Sequence, residues 1–283
     1  MINLMYCGND GAFKGMLLSI LSILKNTQEQ LSIYVLTMDY TEANERFKPL
    51  SQRHIEIIKS AILEHNSQNR LIVIDAGKEF KSTMLQSPNI ETGYTPFCML
   101  RLFADLYPEI PDKILYLDTD TMSHRDIKEL YDIDVSEYEF AGVRDFLGKF
   151  FLNAMYMNSG VLLMNMAKIR ETGMLKKARN ICKKKKMNFP DQTALNFASR
   201  KKLYLKNKYN CQKFLHDDTV IQHFSKTLKL GKPKGVNIVN IKPWNVDRVH
   251  NELHIYCYDD VYKKYDELLL ECRVESVELR EES

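Results

Sequence analysis

The stretch IPDKILYLDTDTMSH, residues 110 to 124, decides the reading of this chain, because its apolar run stops at Asp118-Thr119-Asp120. KILYL at 113 to 117 is apolar on both faces, as an interior strand of a parallel sheet is. In such sheets ligands bind beyond the carboxyl ends of the strands. Two aspartates one residue apart in an extended segment point to one side, and a divalent cation between them relieves their repulsion. A turn followed by a helix cap would account for the same short string, so its meaning rests on the surrounding chain.

Working outward, Ile2 to Cys7 reads as a buried strand broken by GNDG at 8 to 11, followed by an apolar helix over 13 to 25 and a strand at 31 to 39. That is a βαβ unit. Residues 41 to 65 read as one helix, 70 to 77 as a buried strand, and 98 to 108 as a helix leading into KILYL. Beyond the aspartates come a short helix in HRDIKELYD, strands at 140 to 145 and 157 to 166, and a lysine-rich helix over 168 to 186. FPDQTALNFASR at 189 to 200 opens with a helix-start pattern, and a terminal helix begins near Asp259. The alternation predicts an α/β fold with a mostly parallel sheet.

The 283 residues, 45% hydrophobic and 27% charged, are enough for one large domain with a small appendage. With 40 basic and 37 acidic residues the balance gives no reason to expect nucleic acid. Cations are concentrated between Lys168 and Lys213, which reads either as a solvated helix face or as a dock for an anionic membrane or acceptor. The six cysteines form no CxxC pair, which suits a reducing cytoplasm. MLLSILSIL at 16 to 24 is too short to span a bilayer, and no export signal is read at the N-terminus.

DKILYLDTD at 112 to 120 resembles the signature of nucleotide-sugar glycosyltransferases of the GT-A fold, most closely the retaining family 8, which includes bacterial α-galactosyl- and α-glucosyltransferases. The resemblance runs from Leu4 to about Trp244 and implies a Rossmann-like, mostly parallel central sheet flanked by helices. Residues 1–250 would form the transferase domain and 251–283 a small C-terminal helical extension. LMYCGNDGAF looks like the first strand and the nucleoside loop, with Cys7, Asn9 and Asp10 as candidates for uracil and ribose. Arg101 stands where the family places its sugar-nucleotide arginine, upstream of Asp118. A guanidinium there holds a sugar or phosphate through forked bonds that a lysine cannot copy. NSGVLLMN at 158 to 165 matches the block whose asparagine, here Asn158, lies beside the donor sugar, and Asp145 aligns with a nearby acidic residue.

PDQTALN at 190 to 196 matches the segment whose Asp191 and Gln192 would face the anomeric carbon, although Asp191 also suits a helix N-cap. His223 in VIQHFS is similar to the histidine that joins Asp118 and Asp120 on the metal. That ligand set suits Mn²⁺, with Mg²⁺ as the alternative. KPW at 242 to 244 comes later than the family pattern has it, after the insert KTLKLGKPKGVNIVN, so the phosphate lysine is Lys242, Lys226 or Lys232. The implied reaction transfers glucose or galactose from UDP-glucose or UDP-galactose to a saccharide, lipid-linked or glycoprotein acceptor. Both double displacement and front-face attack fit retention, and the glutamine favours the second. The alternative classes are a sugar-nucleotide nucleotidyltransferase, against which GNDGAF lacks the glycine-rich phosphate loop, and a non-catalytic nucleotide-sugar binder.

Overall fold

The computed structural model describes residues 1–90, 95–231 and 235–281. Its centre is a seven-stranded sheet of order β3-β2-β1-β4-β7-β6-β8. The strands are β1 (Ile2–Cys7), β2 (Leu31–Thr37), β3 (Arg70–Asp75), β4 (Lys113–Leu117), β6 (Phe140–Arg144), β7 (Met157–Asn165) and β8 (Lys202–Tyr204). β1, β2, β3 and β4 run parallel, β6 pairs parallel with β8, and β7 runs against both β4 and β6. β1, β4 and β7 are buried along nearly their whole lengths, because apolar layers cover both faces of the sheet.

On one face lies helix α1 (Phe13–Asn26), buried from Met16 to Leu24 between the sheet and later helices. The C-terminal helix, Asp259–Glu281, packs against α1 and the helix Gln52–His65. Its Tyr258 lead-in, Val261, Tyr262, Tyr265 and Leu268 share the apolar cluster of α1. Two ion pairs flank this packing, Lys25 to Asp260 at 2.7 Å and Lys264 to Glu64 at 2.8 Å. The helix Val246–Leu253 runs across residue 250, where a boundary is expected from the sequence.

Several local expectations need correction. The helix expected over 41 to 65 covers only Gln52–His65. Pro49 disfavours helical backbone at Lys48, Asp39 captures the Thr41 amide and hydroxyl, and Ser51 caps the new start by accepting from the His54 amide. The lysine-rich helix is two helices, Met166–Thr172 and Met174–Lys184, divided at Gly173, whose φ of 64° only glycine adopts freely. The segment before β4 is wound as a tight 3-10 helix, Pro96–Leu106, rather than an α-helix. A helix at Gly77–Met84 has no counterpart in the sequence reading.

Glu139, 2% exposed, immediately precedes β6 and ties it to the end of the helix Pro190–Ala198 that leads into β8. Its carboxylate accepts from the Ser199 hydroxyl at 2.7 Å and the Arg200 amide at 2.8 Å. Burial alone would raise its pKa, but these donors together with Thr172 and Lys201 outweigh it and hold the group below its ordinary value. A depressed folded-state pKa stabilises the fold above the unfolded value, about 4.3, and that contribution is lost as pH falls through the folded value. Glu139→Gln should therefore flatten the acid limb of stability as pH falls below the unfolded value in denaturant titrations. Glu139→Ala, which strands these donors, should cost about 1 to 3 kcal/mol at neutral pH.

Candidate metal centre and donor cleft

The register of β4 places the paired aspartates. Leu4 lies beside Leu115 and Met5 beside Tyr116, so Cys7 at the end of β1 is level with Asp118. Because β7 is antiparallel, its beginning meets the end of β4: Leu117 pairs with Val161, and the Asp118 amide donates to the Gly160 carbonyl at 2.7 Å. Asn158 and Ser159, early in one strand, thereby stand beside Asp118, just past another.

A two-stranded ribbon then delivers the histidine. β5 (Thr121–Ser123) pairs antiparallel with β9 (Ile221–His223), Thr121 lies opposite His223, and the Phe224 amide donates to the Asp120 carbonyl at 2.9 Å. Ligand atoms of Asp118, Asp120 and His223 lie within 4.8 Å of one another. His223 Nε2 is 3.2 Å from Asp120 Oδ1 and 3.9 Å from Asp118 Oδ2.

Whether these residues fit a cation is tested by the other side of the ring. His223 Nδ1 is 3.0 Å from Asn210 Oδ1, and Asn210 Nδ2 donates to Asn158 Oδ1 at 2.9 Å. Asn158 Oδ1 also accepts the Gly160 amide at 2.9 Å, which fixes both amides in one orientation. Nδ1 must then carry the proton, and the Nε2 lone pair faces two carboxylates unless a proton or a cation stands between them. Gly160 completes the cradle: a Cβ there would come 2.2 Å from His223 Cε1 and 2.9 Å from Asp118 Oδ2. The donor set fits a divalent cation, and Asn210, which no motif in the sequence marks, is its orienting residue.

Arg101, 3% exposed, holds two carboxylates at once. Its Nη2 is 2.9 Å from both Asp118 Oδ1 and Asp191 Oδ2. Nη1 donates to the Ser159 carbonyl at 2.5 Å, Nε donates to the Cys98 carbonyl at 3.0 Å, and the guanidinium lies 4.1 Å from the Tyr116 ring centre. Tyr116 donates its hydroxyl to Asp118 Oδ1 at 2.7 Å, a role hidden in the sequence because the residue sits inside an apolar strand. Burial pushes the Asp191 carboxyl above its ordinary pKa, opposed by Arg101 and reinforced by Asp118. The cap position of its helix is Phe189, so Asp191 lies in the first turn rather than capping it.

Gln192 accepts from the Ser159 amide at 3.0 Å and hydroxyl at 3.2 Å, and donates to Asp145 Oδ2 at 3.3 Å. Asp145 Oδ2 also receives Asn158 Nδ2 at 2.8 Å, while its Oδ1 accepts the Leu147 and Gly148 amides. Asn158 and Asp145 thus brace the site through one another. Of the nucleoside-loop candidates, Cys7 and Asn9 line the cleft. Asp10 turns away, 2.5 Å from His54 Nδ1 and accepting the Ser51 amide.

Lys242 Nζ reaches Asp120 Oδ2 at 2.5 Å and the Phe224 carbonyl at 3.0 Å. The insert before KPW contains a hairpin, Thr227–Gly231 with Gly235–Val239, whose outer pair is Thr227 with Val239. Its ends therefore return together, and Lys242 comes back to the aspartates despite the added length. Lys226 also lines the cleft, and Lys232 lies outside the described residues. His223 and Lys242 hold Asp120 well below its ordinary pKa, against the raising effect of burial. Trp244 packs over Gly15, where a Cβ would meet its ring at 2.6 Å.

The cleft so formed measures about 410 Å³ and is walled by Asn9, Arg101, Asp118, Asp120, Asp191 and Gln192 among others. A family model described as glycosyl transferase family 8 matches residues 3–230. The chain belongs to that family. A Haemophilus influenzae relative is 24% identical over 215 residues, which are 68% of this chain and 58% of its own length. Glycosyltransferase GlyA of Streptococcus pneumoniae is 36% identical over 109 residues, 38% of this chain and 15% of GlyA. The chain thus spans at most 58% of these curated relatives.

Among solved structures, galactosyltransferase LgtC in complex with donor and acceptor sugar analogues superposes with a TM-score of 0.64 at 16% identity, covering 93% of this chain and 94% of LgtC. GlyE of Streptococcus pneumoniae gives 0.58 at 18% identity, covering 94% of this chain and 64% of GlyE. These likenesses establish the GT-A fold.

Removing the brace or filling the cradle should weaken the metal centre without unfolding the sheet. Asn210→Ala should lower Mn²⁺ affinity about 10- to 100-fold in calorimetric titration, and Gly160→Ala at least as much. Thermal melts in EDTA should show Asn210→Ala retaining a cooperative transition.

Proposed function

We propose that this chain is a retaining hexosyltransferase that moves glucose or galactose from the UDP-sugar to a saccharide-bearing acceptor. The observation that carries this reading is that Asp118 and Asp120, which converge with His223, line one cleft together with Asp191 and Gln192. In this reading Mn²⁺ is held by Asp118, Asp120 and His223. When bound, it supplies positive charge to the departing diphosphate.

Cys7 and Asn9, at the end of β1, face the nucleoside. Lys242 adds a fixed cation beside Asp120, where the diphosphate would lie. Arg101 has every polar direction engaged by Asp118, Asp191 and carbonyls, so its role is to hold those two carboxylates in place and neutralise them. Asp145 and Asn158 orient Gln192 and His223 in the same way.

The geometry favours front-face attack. Gln192 Oε1 already accepts two hydrogen bonds from Ser159, and an Asp191 oxygen is paired with Arg101, so neither is a free nucleophile. In that route the leaving phosphate oxygen receives the acceptor's proton, and no protein base is required. The exposed lysines Lys176, Lys177, Lys183 and Lys184 give this reading a face for contact with an anionic membrane surface at the cytoplasmic side. Among the described residues no helix is long and apolar enough to cross a membrane.

A donor panel tests the assignment. UDP-glucose or UDP-galactose should be hydrolysed slowly with Mn²⁺ and not with EDTA. Cleavage that ignores metal, or synthesis of a sugar nucleotide from a nucleoside triphosphate, would overturn it. Gln192→Ala should keep measurable transfer with retained anomeric configuration. A sugar adduct trapped on Asp191 would instead establish double displacement.

A further inference from the structure

Behind the metal centre lies a second cavity of about 400 Å³, which shares no lining residue with the donor cleft. Its wall includes Asn210, whose side chain holds His223 Nδ1 and Asn158. Asn210 and His223 therefore stand between this cavity and Asp120 of the first cleft.

Backbone pairing brings the cations of this cavity together. Gly142 of β6 lies beside Tyr204 of β8 and the Leu205 amide donates to the Gly142 carbonyl, which sets Arg144 and Lys206 at neighbouring strand ends. Gln212 donates to the Arg144 carbonyl at 3.1 Å and accepts the Phe146 amide at 2.9 Å, which fastens Lys213 across from them. The Lys213 ammonium lies 3.6 Å from the centre of the Phe146 ring, and Lys149 lies 5.1 Å from it. Phe214, 72% exposed, stands on the rim.

Arg144, Lys149, Lys206 and Lys213 line the cavity, and the salt bridges found among the described residues give none of them a carboxylate partner. Lys208 is matched by Glu129, and Asp218 is the acid in the lining. Like charges gathered without counterions raise the local potential for an anion, and the exposed ring of Phe214 suits the apolar face of a sugar ring.

We infer that this cavity is a binding site for a phosphate-bearing saccharide, the phosphoryl group held by Arg144, Lys206 and Lys213 and the ring laid against Phe214. The inference rests on the proposed transferase reading for its role, since it makes the site the acceptor's anchor. Phe146 follows Asp145, which orients Gln192 and Asn158, so an occupant here lies beside the residues that brace the donor sugar.

The full chain, saturated with UDP and Mn²⁺ so that the donor cleft is filled, is titrated with glucose 6-phosphate, glucose and inorganic phosphate. Glucose 6-phosphate should bind more tightly than either of the others, and its affinity should fall as salt is raised. Lys213→Glu and Arg144→Ala should each weaken it roughly ten-fold while leaving UDP affinity unchanged.

Equal binding of glucose and glucose 6-phosphate, or variants without effect, would overturn the site. So would phosphatidylglycerol vesicles that bind through Lys213 and Arg144 when glucose 6-phosphate fails to bind, because the surface would then serve a lipid headgroup. UDP-sugar hydrolysis is measured on the same samples. Its absence alongside intact, variant-sensitive phosphosugar binding would sink the transferase reading and leave the site standing.

Discussion

A single buried guanidinium makes the donor cleft electrostatically tenable. Asp118 comes from the end of β4 and Asp191 from the first turn of a distant helix, and Arg101 meets both at 2.9 Å while 3% exposed. Without it two carboxylates, one of them almost fully buried, would stand close together, and their repulsion would shift or neutralise one of them. Burial still raises Asp191 even with Arg101 in place, so the balance is narrow. Tyr116 under the guanidinium, and the Ser159 and Cys98 carbonyls around it, leave the cation few alternative poses.

The second constraint is direction. β1 and β4 run parallel and end at the cleft, whereas β7 runs against β4 and begins there. This reversal lets backbone atoms of Ser159 and Gly160 serve the site directly: one carbonyl accepts from Arg101, the other from the Asp118 amide. Gly160 has no side chain because His223 and Asp118 fill the space a Cβ would need. The hairpin between His223 and Lys242 follows the same logic, since a paired excursion returns its ends to one place and leaves the approach of Lys242 to Asp120 intact.

The two cavities are opposite in character. The donor cleft gathers carboxylates around Arg101 and Lys242, as a cation site requires, whereas the rear cavity gathers unmatched cations around aromatic rings. The Asp145, Asn158, Asn210 and His223 chain of hydrogen bonds runs between them. A shift of any member is felt by Gln192 and by the metal-facing nitrogen together.

Much of the fold was legible in the sequence, because apolar runs such as KILYL and VLLMN report strands buried on both faces whatever surrounds them. That Asp118, Asp120 and His223 come together, and that Asp191 and Gln192 share the cleft with the two aspartates, was legible only through the resemblance to family 8. The stop at Pro49 and Ser51 and the break at Gly173 are written in local residues that a long helical pattern masks, whereas the tight winding of Pro96–Leu106 has no local mark. By itself the sequence determined which residues carry charge at the end of the central strand and that a sheet would bury what precedes them. Only the tertiary structure decided that Asn9 rather than Asp10 faces the cleft, that Arg101 is spent on carboxylates, and that Asn210 orients His223. Those outcomes depend on contacts between residues far apart in the chain, as with Arg101 and Asp191, and chain spacing carries no record of which distant partner a polar group will find.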